Sequence, residues 1–491
     1  MSSADRATPV EPESAGDVLD TARAGPLALR GSVLRVGGYG GGMLLALISA
    51  PLLIRHLHQV GYGRYITAVS VATIATSLTE GGVNAIAVRE FASRRGPDRD
   101  AAMANILSIR LLLSVLAMVA AVGFAAAVGY AQVIVIGTAV ACVGVNLQVV
   151  QEVVAVPLQG TMRLGWLAAA DLLRNAVNTF LIVVLVVAGA GLVPLLAVST
   201  PAGVASLCLI FLLVRKTAPL RLSRSFAAYA PLLREAIPFA LAVALSSIYF
   251  RVTVIVMSLE ASAVETGYFS TSFRVVEILI SLPTLVIGAA YPIVTRAARD
   301  DPERFSYATV RMFELSVLLG VWLAVSMFEL APFAVRLLGG HAATPAAAVL
   351  RIQGLAVAGT FVAVACGFPL LSIRRYRALL VANGLGLLVT LAVSLSLVPV
   401  LAARGAAIAT VAAELALATA SVIALISARR DLHLPLGVLP IALLAGGVSL
   451  GIGAVVCVHP ILEACIATAI YALLLVAFRR FPPEIGHAIR G

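Results

Sequence analysis

Charge is what this chain has least of. Only 12% of its 491 residues are charged, while 61% are hydrophobic, against an apolar share of roughly half in soluble domains. With a mean hydropathy of +1.03, the composition excludes a water-soluble globule and places the chain in a bilayer. Short strands of alternating polarity are also missing, which excludes a transmembrane β-barrel. Cysteine is sparse: Cys142, Cys208, Cys366, Cys457 and Cys465 all lie in apolar blocks without metal-ligand spacing, so they are expected to pack rather than coordinate. Histidine is equally rare. His56, His58 and His341 fall at the ends of apolar blocks, where interface residues belong. No HExxH, GxSxG or P-loop pattern occurs, and neither a metal nor another cofactor is expected. A cleavable leader is not expected either, because the first apolar block, Val33 to Ile54, is too long for one and lacks a small-x-small site.

What is present is a succession of apolar blocks near the ~20 residues that carry a helix across a ~30 Å hydrocarbon core. They predict an all-α integral membrane protein of about 14 transmembrane helices. The expected spans are 32–55, 62–90, 102–128, 131–157, 164–189, 192–214, 231–258, 266–294, 307–330, 346–372, 377–399, 405–428, 434–457 and 461–478. The net charge of +11 suggests nucleic acid at first sight. However, the basic residues gather in alternate loops: Arg94, Arg95 and Arg99; Arg163; Arg215, Lys216, Arg221 and Arg224; Arg296, Arg299 and Arg304; Arg374, Arg375 and Arg377; Arg429 and Arg430. The opposite loops hold little beyond Arg55, Arg64, Arg336 and Arg404. Such asymmetry is a topology signal, placing both termini in the cytoplasm and giving no reason to invoke a nucleic-acid partner.

The chain also repeats itself. VGYGRYITAVSVATIATSLTEGGVNAIAVREFASR from Val60 aligns with TGYFSTSFRVVEILISLPTLVIGAAYPIVTRAAR from Thr266, and PLQGTMRLGWLAAADLL from Pro157 aligns with PLLSIRRYRALLVANGL from Pro369. The offsets, 206 and 212, differ by one small insertion. The expected organisation is a disordered cytoplasmic tail (1–31), a six-helix bundle (32–214), a basic cytoplasmic linker (215–229) and a second six-helix bundle (230–428). Two added helices with a cytoplasmic tail follow (429–491). Two like halves around a midplane site form a transporter design.

Polar residues line single faces of several spans. Ser270, Arg274, Glu277, Ser281, Thr284 and Gly288 recur at steps of three and four, so they share one helix face. The same layout appears in Ser70, Thr73, Ser77, Glu80 and Asn84, in Asp171, Arg174, Asn175 and Asn178, and in Ser247, Arg251 and Ser258. An intramembrane charge costs about 2.5–3.5 kcal/mol on the insertion scale, so such stripes should face protein or a wet cavity. Arg35, Arg110, Glu152, Arg311, Glu314, Arg351 and Glu414 are further charges within spans. Arg274 with Glu277, Asp171 with Arg174, and Arg311 with Glu314 also read as i,i+3 pairs that only staple helices. Arg251 has no acid within a turn on its own helix. Pro283 and Pro292 fit either a discontinuous helix or a packing kink.

Val60-Gly61-Tyr62-Gly63, Glu80-Gly81-Gly82-Val83, and Thr266-Gly267-Tyr268 followed by Arg274 and Glu277 give the chain a family likeness. Over residues 32–480 it resembles the polysaccharide transporter, or O-antigen flippase, branch of the multidrug/oligosaccharidyl-lipid/polysaccharide exporter superfamily. The resemblance implies flipping of an undecaprenyl-diphosphate-linked oligosaccharide from the inner to the outer leaflet of the bacterial inner membrane, driven by a proton or sodium gradient. Membrane lipids and the polysaccharide polymerase machinery would be its surroundings. Guanidinium groups suit a diphosphate, which makes Arg251, Arg274, Arg174, Arg110 and Arg35 the candidates to hold cargo. Glu80, Glu277, Glu414 and Asp171 are the candidates for ion coupling. One departure is Thr253, where many relatives carry an acid shortly after the helix 7 arginine. Two alternatives stand beside this reading: a multidrug antiporter of the same superfamily, and an integral membrane glycan polymerase or ligase. The second usually needs a sizeable outer loop, and the longest one expected here is only about residues 331–345.

Overall fold

The computed structural model describes residues 24–80, 83–161, 163–215, 222–223, 229–288, 290–456 and 459–478. These residues are almost entirely helical, and no strand occurs among them. In chain order the helices are α1 (Ala24–Glu80), α2 (Val83–Ser93), α3 (Gly96–Ala127), α4 (Gln132–Val154), α5 (Val156–Gly160), α6 (Leu164–Val187), α7 (Leu192–Ala197), α8 (Ser199–Val214), α9 (Tyr229–Glu260), α10 (Ala263–Gly288), α11 (Tyr291–Asp300), α12 (Pro302–Gly339), α13 (Ala346–Ser372), α14 (Tyr376–Ala428), α15 (Val438–Val456) and α16 (Pro460–Ala477).

Nine helices among the described residues are long and apolar enough to cross a bilayer, and Val438–Ile452 is a shorter apolar one. The expected number of about fourteen separate spans does not map one to one onto these helices. Two expected pairs meet at kinks that fall inside the breaks expected between them. The expected spans 32–55 and 62–90 both start in α1, which bends at His58 (φ 53°, ψ −177°), and 377–399 and 405–428 form α14, which bends at Ala402 (φ 46°, ψ −126°). Both residues take a left-handed φ that L residues rarely adopt, turning the chain back within a single residue. α1 begins at Ala24, inside the stretch expected to be a disordered tail, while residues 1–23 and most of the linker at 216–228 lie outside the described residues.

Other boundaries were also expected elsewhere. The span expected at 307–330 is α12, which continues to Gly339 through Pro332. A proline in a transmembrane helix need not end it, because neighbouring helices satisfy the freed carbonyl. The loop expected at 331–345 thus shrinks to residues 340–345, carrying a 3-10 turn at His341–Ala343. The span expected at 62–90 covers the second limb of α1, described to Glu80, and α2 from Val83, with residues 81 and 82 outside the described residues; the span expected at 266–294 covers α10, described to Gly288, and α11, which follows a turn at Ala290. Pro283 is buried within α10 and does not break it. Pro292 opens α11 at its first turn, where a missing N–H costs nothing.

The internal repeat is visible in the backbone. Thr161 N donates to Pro157 O at 3.1 Å and Ile373 N to Pro369 O at 3.1 Å; Arg163 N donates to Leu158 O at 2.8 Å and Arg375 N to Leu370 O at 2.9 Å. Each turn then enters a new helix from an arginine of nearly identical geometry, Arg163 at φ −84°, ψ 51° and Arg375 at φ −85°, ψ 53°. All of these pairs obey the sequence offset of 212.

Packing follows the apolar blocks. One core joins α2, α3, α4, α5, α6 and α8 around Ala87, Ile106, Val153, Val156, Ala170 and Ile210. Another joins α12, α13 and α14 to α15 and α16 around Val317, Cys366, Leu425, Ala442 and Tyr471, so the last two helices dock on the C-terminal group. A third, around Ile54, Tyr62, Met257, Phe269 and Leu338, joins α1 to α9, α10 and α12. Leu44, Phe180, Val187, Val381, Leu388 and Leu473 point outward and are more than half exposed. In water this much exposed apolar surface would be a liability; against lipid it is the expected coat.

Candidate functional site

The polar stripe on α10 meets α9. Glu277 Oε2 accepts from Arg274 Nη1 at 2.6 Å, and its Oε1 accepts from Arg251 Nη2 at 2.8 Å. The first contact is the expected i,i+3 pair. The second lies between helices, so Arg251, which lacks an acid on its own helix, finds one on the next. Arg251 precedes the end of α9 by about 14 Å and Arg274 follows the start of α10 by about 16 Å at 1.5 Å per residue, so the two stand at similar distances from the turn that joins these helices. The side chains of Arg251, Glu277 and Arg274 are 16%, 21% and 26% exposed, so the cluster is not sealed. Two guanidiniums share one carboxylate, leaving a formal surplus of one positive charge.

Tyr62 and Tyr65, stacked at 6.2 Å on the second limb of α1, lie within electrostatic range of Arg274 and Glu277. Through them the GY motif of the first repeat faces the charged stripe of the second. Phe250 and Phe273, with ring centroids 5.0 Å apart, wall the cluster from the side, and Arg251 sits over Phe250 at 5.9 Å.

The other candidate residues are placed elsewhere. Glu414, on α14, is buried and accepts from the Tyr249 hydroxyl at 2.7 Å. Both line a small internal cavity with Thr253, Thr390 and Thr410. Thr253 therefore faces the same space as Glu414. Arg174 donates to Gln148 on α4 and lies 3.7 Å from Asp171, so the expected i,i+3 pair is the longer of its two contacts. Arg110 is buried on α3 and donates to the Thr79 carbonyl on α1. Arg311 pairs with Glu314 at 2.8 Å, and Arg351 donates to Phe328 O while resting on its ring. The side chains of Arg35 and Glu80 lie outside the described residues. Among the described residues no cluster of three or more His, Cys, Asp or Glu is placed to hold a metal ion.

Several polar partners escaped the sequence reading: Gln151, Gln353 and Tyr249 sit inside apolar spans, and Gln59 in the break between two of them. Gln59 accepts from Thr271 at 3.0 Å, Ser206 donates to Gln151 and Ser272 to Gln353, and Tyr249 caps Glu414. A glutamine inside a span is the only signal that could have marked them.

One end of the molecule is closed where the two helix groups meet. Gly267 sits directly on the Gln59 backbone, and a Cβ there would stand 2.1 Å from Gln59 O. A Cβ on Gly63 would stand 3.0 Å from Gly267 N and 3.2 Å from Ala263 O. Beside them Arg55 Nη2 donates to Leu337 O at 2.7 Å, and Tyr130 and Ser258 share a hydroxyl contact of 2.6 Å. Gly63 and Gly267 are thus what lets α1 and α10 touch backbone to backbone.

This architecture has solved counterparts. The fold is similar to that of the lipid II flippase MurJ in an inward closed conformation, with a TM-score of 0.76 at 13% identity, covering 91% of this chain and 99% of that one. It is also similar to an inward-facing multidrug resistance MATE family transporter of the MOP superfamily, with a TM-score of 0.61 at 16% identity, covering 79% and 98%. A MOP superfamily transporter from Pyrococcus furiosus, described as having a binding pocket of reverse polarity, follows with a TM-score of 0.52 at 13% identity, covering 85% and 95%. At these identities the likeness is one of fold. No curated protein matches the chain in sequence. The family described as "Polysaccharide biosynthesis protein" matches residues 28–298, more than half of the chain, and this multi-pass membrane protein belongs to that family.

Proposed function

We propose that the protein flips an undecaprenyl-diphosphate-linked oligosaccharide from the inner to the outer leaflet of the bacterial inner membrane by alternating access. The observation that carries this reading is the Arg251–Glu277–Arg274 cluster: two guanidiniums held by one carboxylate and still partly exposed. A diphosphate offers oxygens to both arginines and competes with Glu277 for them. Because the Arg251–Glu277 contact ties α9 to α10, cargo that displaces Glu277 loosens that tie. The freed carboxylate then gains affinity for a cation, so cargo and ion occupy one electrostatic balance. Glu414 with Tyr249 provides a second titratable position in the same helix group, and Glu80 remains a third candidate. Arg174, Arg110 and Arg35 would receive or release cargo in the N-terminal group, with Asp171 beside Arg174.

Alternating access needs one end to close tightly and reopen, and the glycine contact between α1 and α10 is built for such a seal. The arginine asymmetry of the loops puts that end outside and both termini in the cytoplasm. The membrane lipids supply the cargo, a proton or sodium gradient drives it, and the polysaccharide polymerase machinery takes it up. A cationic-drug antiporter would bind its cargo on acids, and a surplus of arginine at the cluster opposes that. Mass spectrometry of lipid-linked oligosaccharides in a deletion strain, with leaflet assignment by an impermeant probe, tests the proposal. Accumulation of a diphosphate-linked oligosaccharide in the inner leaflet supports it. An unchanged lipid-linked pool, or accumulation in the outer leaflet, refutes it.

A further inference from the structure

The chain holds a second cationic place, away from the midplane cluster. α11 buries Val294 and Ala297 against α12 and α13 and leaves Thr295, Arg296, Arg299 and Asp300 exposed. Opposite it, α13 ends at Ser372 in a turn whose next residues are Ile373 and Arg374. Together with Tyr291 these segments enclose an open cleft of about 760 Å³, within the 300–1,000 Å³ range typical of small-molecule sites. The hydroxyls of Thr295 and Ser372 meet across it at 3.1 Å. Three guanidiniums line the cleft against one carboxylate, Asp300.

Two features separate this cleft from an ordinary basic loop. Arg311 and Arg429 have acids and Arg351 a carbonyl, whereas the side chains of Arg296, Arg299 and Arg374 have no hydrogen bond or ion pair among the described residues. Moreover, Arg374 holds φ 59°, a left-handed turn position where glycine is the easy residue. A non-glycine residue kept in an unfavourable conformation is a mark of function.

Depth identifies the ligand. The cleft lies where α13, a helix long and apolar enough to cross a bilayer, ends, which is headgroup level. Guanidinium groups flanked by hydroxyls favour phosphoryl oxygens. We infer that the cleft formed by Arg296, Arg299, Arg374, Thr295 and Ser372 binds the phosphate or diphosphate group of a membrane lipid. The site is separate from the midplane cluster, and its binding can be tested without transport.

The test is native mass spectrometry of the full-length protein in detergent, titrated in separate arms with a polyprenyl diphosphate, phosphatidylglycerol, phosphatidylcholine and inorganic pyrophosphate. One adduct of an anionic phospholipid or polyprenyl diphosphate, retained at least about tenfold over phosphatidylcholine, is expected. Preference between the first two arms names the source, bulk lipid or cargo-type carrier. Arg374→Gly removes a guanidinium and suits the turn, so it should keep or raise the melting temperature while cutting retention about tenfold or more; Arg299→Gln should cut it likewise, and Asp300→Asn should raise it. In the phosphatidylglycerol arm, which offers no diphosphate to the midplane cluster, Arg251→Ala should leave the adduct unchanged, so failure here and failure of the flippase reading are distinguishable. Retention unaffected by Arg374→Gly and Arg299→Gln, equal retention of phosphatidylcholine, or pyrophosphate binding without any lipid adduct would overturn the inference.

Discussion

Replacing Gly267 by alanine adds one methyl group to the tightest contact between the two helix groups. Its Cβ would stand 2.1 Å from Gln59 O, 2.5 Å from Gln59 C and 2.8 Å from Gln59 Cα. All three are backbone atoms that no rotamer change can move. Comfortable contact lies near 3.5 Å, so α1 and α10 must part by about 1.4 Å here. Overpacking of this kind costs about 1–3 kcal/mol. The cost falls on the state in which this end is closed. Alanine's better helix propensity, about 1 kcal/mol over glycine, acts on closed and open states alike. The closed state should therefore lose about 5–150-fold in relative population. Spin labels at Val187, at the end of α6, and Leu337, near the end of α12, are both surface-exposed and report the opening by pulsed electron resonance. A longer-distance population should grow in Gly267→Ala while the protein stays folded, and flipping should slow because the cycle lingers open. An unchanged distance distribution in a folded Gly267→Ala protein would refute the idea that this contact is the seal.

Arg251→Lys and Arg274→Lys should keep part of the activity, whereas Arg251→Ala and Arg274→Ala should abolish export with near-normal protein levels, measured by immunoblot beside the export assay; loss of protein instead would make the cluster purely structural. Glu80→Gln or Glu414→Gln should uncouple flipping from an imposed pH gradient without loss of lipid-linked cargo binding, and gradient-dependent flipping unchanged in either variant would remove that residue from coupling. Ala402→Gly should stabilise the protein by about 1 kcal/mol, since a left-handed alanine costs about 1–2 kcal/mol and glycine returns part of that as chain entropy; a lower melting temperature would show that the turn is not strained. In a cysteine-free background, labelling should reach position 262 only from outside and position 220 only from inside, and the reverse would invert the topology.

The readable parts of this protein were those encoded locally. Hydropathy found the apolar blocks, and the repeat offset of 212 reappears in the paired turns at Pro157 and Pro369. The Arg274–Glu277 contact was legible because both residues sit one turn apart on one face. The Arg251–Glu277 contact was not, because helical periodicity says which face a residue occupies and not which helix lies against it. The same holds for Tyr249 with Glu414, 165 residues apart, and for Gln59 with Thr271, 212 apart. Some helix ends also escaped, for a different reason. The break before Gly61 and Tyr62 was legible, since α1 kinks at His58, whereas the span expected to end at residue 330 runs on through Pro332 to Gly339. In lipid the backbone must stay hydrogen-bonded, so the breaks that proline marks in soluble chains are overridden wherever a neighbouring helix can repair them.

The most direct test of the central claim is reconstitution of the purified chain in proteoliposomes carrying a fluorescent diphosphate-linked oligosaccharide on a polyprenyl chain, with an imposed proton or sodium gradient and an impermeant quencher outside. The account predicts gradient-dependent movement of the probe between leaflets, faster than in protein-free vesicles and abolished by Arg251→Ala with Arg274→Ala. Movement no faster than in empty vesicles under either gradient, or movement that survives the double substitution, would contradict it.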